Sequence, residues 1–260
     1  VAKRFGLVGA PPPPPAARLL LVVDVTGLEA AEIARALGLP AFEAGQRQRQ
    51  GGLHLHRVGA EAEVVGEARR LESEGLKTVL VPEAEARVSP VLATGGERDG
   101  RRLRLKVGRE LLEVGAGDLL LIVEGPIQRE YEPREVERKR PRTATLEAGH
   151  RFHVHRRRDP APLELDPANF AFGPRGAVAG SSLLELKAWV AALGEGVPVD
   201  DGFKRIPPAL SPALPEEGAA ASLRRTGGRL ARSKDAPAVL DNLAQFRFYS
   251  GWRAAVERRR

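Results

Sequence analysis

The chain has 260 residues, 42% of them apolar and only 5% aromatic, with no cysteine and a formal net charge of +7. That length suits one large domain or two small ones with a core of Leu, Val and Ala, and the absence of cysteine excludes disulfides, thiolate catalysis and cysteine-ligated zinc. No apolar run approaches the roughly 18–20 residues that cross a bilayer, and the opening Val1-Ala2-Lys3-Arg4 lacks the apolar stretch of a signal peptide, so the expectation is a cytoplasmic protein with no membrane partner.

Phe5-Gly6-Leu7-Val8 reads as a short strand, closed by Pro11–Pro15, a stiff connector without amide donors. Ala17 to Val25 combines the β-branched content of a strand with a helical spacing at Leu19, Val22 and Val23, and periodicity does not separate the two over so short a run. Thr26-Gly27-Leu28-Glu29 has the spacing of a capping box. The helix it opens places Ile33 and Leu37 on one face and stops at Gly38 and Pro40. Leu53 to Val58 alternates as a strand. Ala60 to Glu74 is a helix with Val64, Ala68 and Leu71 on one face, and Thr78 to Val81 is a strand stopped by Pro82.

This order, over residues 1–88, resembles the βααβαβ module of the ribosomal stalk protein's C-terminal domain and of the ClpS-type protease adaptors. The residues carrying the resemblance are Phe5–Val8, Thr26-Gly27-Leu28 leading into Ala30-Ala31-Glu32, Pro40, Ala62-Glu63, Leu71-Glu72 through Gly75, and Thr78–Val81. The resemblance implies a helix over Ala17–Val25 and a unit that docks partner proteins. Two features depart from it. Ala30 to Leu37 holds only Arg35 where the stalk domain has a lysine-bearing helix face, and Pro11–Pro15 replaces the adaptors' Asn/Asp-rich segment. The resemblance thus implies a fold and leaves the partner open.

Residues 89–260 read as a second, β-rich unit closed by C-terminal helices, making the whole an α+β protein. Gly95 to Gly100 is a turn-rich loop. Leu103 and Leu105 alternate with Arg102, Arg104 and Lys106, which is one buried and one solvated face. Glu110–Val114 and Leu119–Val123 are further strands joined at Gly115–Asp118. Residues 129–149 and 207–234 read as flexible. Between them, Arg151–Arg157 and Leu163–Leu165 are strands, and Asn169–Gly173 tucks an aromatic pair into a core. Ser182 and Glu185 form a capping box for a helix with Leu186, Trp189, Val190 and Leu193 on its buried face. Asp235 caps a last helix, with Pro237 in its first turn and Leu240, Leu243, Phe246, Tyr249, Trp252 and Val256 along its face.

All five histidines cluster, as His54 and His56, then His150, His153 and His155. An H-x-H pair on a strand puts both rings on one face, a two-ligand geometry for a transition metal. His54, His56, His153 and His155 are the candidate ligands, against the plainer reading of strand residues among arginines. The adjacent carboxylates Asp200-Asp201 and Glu216-Glu217 point opposite ways on a strand, and only a loop would converge them with Asp166. Ser181-Ser182 lacks the glycines of a nucleophile elbow, and no P-loop or G-x-G-x-x-G occurs. No residue is read as catalytic and no cofactor is expected.

Charge is uneven. Residues 1–128 are neutral, 129–158 carry a net +5, 159–221 a net −5 and 222–260 a net +7. Of the 41 basic residues 34 are arginine, a bias that a GC-rich genome produces unaided. The candidate nucleic-acid contacts are Arg138, Lys139, Arg140, Arg156, Arg157, Arg158, Arg224 and Arg225. No signature of a known nucleic-acid fold accompanies them. The function expected is non-enzymatic protein binding, with a nucleic-acid or ribosome-associated role through the basic segments 129–158 and 222–260 as the alternative, and an enzyme with an unrecognised site, a histidine-bound metal being one option for it, third.

Overall fold

Arg18–Asp24 forms the first strand, β1, and Leu20, Leu21, Val22 and Val23 within it are all fully buried. Ala17–Val25 is therefore not the helix expected from the resemblance. A central strand buried at successive residues has no polar alternation, so its sequence mimics a helical spacing. β1 lies between β2 (Leu53–Ala60) and β3 (Lys77–Pro82), antiparallel to both. The computed structural model describes residues 17–131, 144–173, 182–193, 196–206, 223–226, 229–232 and 238–260. Phe5–Val8 and Pro11–Pro15 lie outside them. The chain divides into two units, Val1–Pro82 and Glu83–Arg260.

In the first unit, helices α1 (Ala30–Leu37), α2 (Ala41–Gln50) and α3 (Glu61–Ser73) complete the order βααβαβ. Ile33, Ala44, Val64 and Leu71 pack with Leu21 and Val23 in one core. α1 begins at Ala30, where the Glu32 carboxylate accepts the Glu29 N–H at 2.9 Å. The expected cap, Thr26, instead donates its N–H and hydroxyl to Asp24 at 3.0 and 2.6 Å. Gly38 ends α1 in the left-handed region at φ 63°, a conformation glycine adopts without cost. α2 went unread in the sequence because it buries only Ala44.

The second unit starts with the short helix α4 (Glu83–Ala86). A mixed sheet follows, built on β4 (Val91–Asp99), β5 (Arg102–Val107), β6 (Glu110–Gly115), β7 (Leu119–Tyr131), β8 (Ala144–Arg156) and β9 (Leu163–Leu165). With β11 (Val199–Asp200) its order is β11-β7-β8-β9-β4-β5-β6, while β10 (Ala171–Phe172) joins β4 and β14 (Ala238–Asp241) joins β7. Leu103 and Leu105 are buried and Arg102, Arg104 and Lys106 exposed, as the alternation requires.

Gly95 and Gly96 are strand, not loop. A Cβ on Gly95 would sit 2.5 Å from the Ala171 carbonyl oxygen, and one on Gly96 would run into that of Arg104. Glycine marks close backbone approach here rather than a turn.

The stretch expected to be flexible at 129–149 is in part a ladder. Arg129 pairs with Glu147 and Tyr131 with Ala144, because backbone pairing needs no apolar side chains; residues 132–143 lie outside the described ones. Likewise 207–234 contains a hairpin, β12 (Leu223–Thr226) with β13 (Arg229–Arg232), and residues 207–222, 227–228 and 233–234 lie outside.

Helix α5 (Ser182–Ala192) takes Ser182 as its first residue, and Glu185 accepts the Trp189 indole N–H at 2.7 Å. Trp189 packs edge-on against Phe170 and Phe172 at 5.8 and 5.2 Å, beside Leu105, Phe152 and Leu163.

The last helix, α6 (Leu243–Glu257), starts later than expected. Leu240 lies on β14, paired with β7, and Asp235 and Pro237 fall outside the described residues. Asn242 fixes the start of α6. Its Oδ1 accepts the Gln128 N–H at 2.8 Å and its Nδ2 donates to the Pro126 carbonyl at 3.2 Å. Phe246, Phe248, Tyr249, Trp252 and Val256 are buried, so α6 has almost no solvated face.

Candidate functional site

Alternation along β8 sorts its side chains. Phe152 and Val154 enter the apolar core that includes α5 residues Leu186 and Trp189. Arg151, His153 and His155 take the other face, where His153 meets Phe246 and Ser250 of α6. The Ser250 hydroxyl stands 2.9 Å from His153 Nδ1 and 2.7 Å from His155 Nε2. His153 Nε2 stands 3.0 Å from Glu164 Oε2. Arg247 grips the same carboxylate with Nε at 2.8 Å and Nη2 at 3.0 Å. Arg151 donates to Asp166 at 2.8 Å. His153 and His155 are 1% exposed and Ser250 not at all.

Valence fixes the protons in this array. Burial alone would raise the Glu164 carboxyl, but hydrogen bonds from His153 and Arg247 overcome it and hold it at about 2. An ionised Glu164 only accepts, so His153 donates from Nε2 and accepts at Nδ1. Ser250 donates to that Nδ1 and accepts from His155 Nε2–H. His155 Nδ1 is left as a buried lone pair with no hydrogen-bond partner among the described residues. Burial pushes both imidazoles below the ordinary histidine value, and His155 well below it. The order Ser–His–Glu is that of an activated nucleophile, yet Ser250 has no surface to offer a substrate. As it stands, the array positions α6.

The histidine pairs are not brought together in one sheet: His54 and His56 lie on β2, His153 and His155 on β8. His54 Nε2 is 3.1 Å from the Gly51 carbonyl oxygen, His56 Nε2 is 2.8 Å from Glu67, and His150 Nε2 is 3.2 Å from Glu124. Among the described residues no group of three or more His, Cys, Asp or Glu side chains could hold a metal.

The carboxylates Asp166 and Asp200 are separately satisfied. Asp166 takes Arg151 and Asn169; Asp200 takes the Tyr249 hydroxyl at 2.8 Å, the Gly202 N–H at 2.7 Å and Arg253. Asp201 faces out, paired with Lys204. Glu216 and Glu217 lie outside the described residues. Ser250 and Glu164, at the centre of the array, belong to no motif of the sequence. The available signal was Ser250, a small polar residue inside an aromatic stripe, and Glu164, a lone carboxylate between two leucines.

Of the basic candidates, Arg138, Lys139 and Arg140 lie outside the described residues. Arg156 pairs with Asp159, while Arg157 and Arg158 are exposed. Arg258 donates to the Asp159 carbonyl at 3.1 Å, which brings the end of α6 to the end of β8. Arg259 is held by Glu85 through two N–H bonds of 2.8 Å. Arg224 and Arg225 lie on β12 opposite Ala231 and Leu230. On the first unit, Phe42 in the first turn of α2 is 71% exposed, beside exposed Pro40 and Ala41.

Compared with known families, curated proteins and solved structures, the chain matches none. No described helix is long and apolar enough to cross a membrane.

Proposed function

We propose that the protein is a non-enzymatic docking protein whose first unit engages a partner protein at the corner where α1 meets α2. The observation that carries this reading is Phe42, an aromatic ring left mostly in water. An exposed aromatic flanked by small and proline residues is the kind of anchor that buries in a partner's pocket and dominates binding energy. The βααβαβ order of this unit, shared with the docking modules it resembles, supports the same reading. The test is affinity capture of the tagged full chain and of its Phe42→Glu variant from extract of the source cells, with and without nuclease, at low and moderate salt. Proteins that survive nuclease and salt with the native chain and are lost with Phe42→Glu are the expected result. Partners retained by the variant overturn it.

A second reading, nucleic-acid binding, rests on the corner where exposed Arg157 and Arg158 meet the end of α6. Retention on nucleic acid that weakens steeply with salt, and is lost when Arg157 and Arg158 become alanine, would favour it.

A further inference from the structure

The chain of donors between β9, β8 and α6 is full. Glu164 accepts from Arg247 and His153, His153 accepts from Ser250, and Ser250 accepts from His155. One more proton has three places to go, and each leaves a buried group unsatisfied. On His155 Nδ1 it becomes an N–H with no acceptor among the described residues. On His153 Nδ1 it displaces the Ser250 proton, which can turn only to His155 Nε2. That nitrogen already carries a proton, and moving it to Nδ1 recreates the first case. On Glu164 the proton becomes an O–H donor set among the donors His153 and Arg247, and it removes the charge that they share.

Apart from Glu164, the charges facing the pair oppose an added proton. His153 faces Glu164 of β9, Arg151 of its own strand and Arg247 of α6, while His155 faces His153 and Arg258 of α6. Glu164 is the negative group that faces this pair among the described residues, and Arg247 already grips it with two hydrogen bonds.

We propose that the His153–Ser250–His155 chain is an acid-sensitive latch, which clamps α6 to β8 when both imidazoles are neutral and releases α6 when the chain takes a proton. Release frees the apolar surface of Phe246, Phe248 and Trp252, which α6 keeps buried. Both imidazoles bind protons less readily in the folded state than in the unfolded one. The clamp is therefore at full strength above the unfolded histidine value of about 6.5 and weakens as pH falls below it.

The test is amide hydrogen exchange on the full chain between about pH 7.5 and about pH 5, corrected for intrinsic chemistry. The expected result is that α6 amides lose protection by about tenfold or more relative to amides of β5 in the same unit. The His155→Leu variant keeps the Ser250–His153 bond and removes the orphan nitrogen, so its α6 protection should depend less on pH. Parallel loss of protection in α6 and β5, or α6 protection unchanged down to about pH 5, overturns the latch whether or not the variant folds.

Discussion

Tyr249 donates its phenol to Asp200 at 2.8 Å, joining α6 to β11. Both groups are buried, and Asp200 also holds Arg253 and the Gly202 N–H. Burial, then the Asp200 charge, pushes the phenol up, so it remains a donor. Tyr249→Phe removes one hydrogen bond from a carboxylate that keeps two others. We expect a loss of about 1–2 kcal/mol, measured as a lower urea midpoint with unchanged slope. Asp200→Ala strips the acceptor from Tyr249 and Arg253 together and should cost about 3 kcal/mol. Equal midpoints for the two variants would mean that Arg253 draws nothing from the carboxylate.

Gly251 follows Ser250 on α6, and a Cβ there would collide with the Ala86 carbonyl of α4. In an exposed helix, glycine to alanine gains about 1 kcal/mol. Here the sign should reverse. Gly251→Ala is expected to destabilise by about 1–3 kcal/mol, because α4 must shift to admit the methyl group. A thermal midpoint at or above that of the native chain would refute this close approach.

These two relationships show where the sequence could be read and where it could not. Apart from α2, local rules carried the first unit from Ile33 onward: a glycine stop at Gly38, the α3 stripe of Val64, Ala68 and Leu71, and the strand ended by Pro82. The same rules misplaced Ala17–Val25, since a buried central strand and a short helix face are one pattern of apolar residues. They also stopped short at Gly95–Gly96 and at Ala238–Asp241, where the deciding partner, Ala171 or β7, is distant in sequence. The polar array fails for that reason in its purest form. His153 and His155 are visible as an H-x-H pair, but the groups that satisfy them come from positions 164 and 250, and the arginine that holds Glu164 from position 247. No spacing rule links those to β8 before the sheet forms.

Glu164 supplies a pH dependence separate from that of the histidines. Its folded value of about 2 lies below the unfolded value of about 4.3. Its stabilisation is therefore complete above the unfolded value and is lost as pH falls toward the folded one. The urea midpoint of the native chain should drop between about pH 5 and about pH 3. Glu164→Gln should start lower at the upper pH, by about 2–3 kcal/mol, with Arg247's partial exposure softening the loss, and should fall less over the same interval. Equal slopes for the two proteins would remove Glu164 from the account.

Phe246 is fully buried, edge-on to His153 at 4.7 Å and to Phe203 at 5.3 Å. The space it fills exists because residue 125 of β7 is glycine. A Cβ there would lie 2.6 Å from Phe203 Cδ1 and 3.1 Å from Phe246 Cδ2. Phe246→Ala should cost about 3–5 kcal/mol through the cavity it leaves. Gly125→Ala should cost about 1–3 kcal/mol through overpacking. Because both changes act on one volume, their effects should not add. In the Phe246→Ala background the Gly125→Ala penalty should shrink by about 1 kcal/mol or more, since Phe203 can move into the vacated space. Strict additivity across this double-mutant cycle would mean that Gly125 is present for backbone reasons rather than to seat the ring that anchors α6.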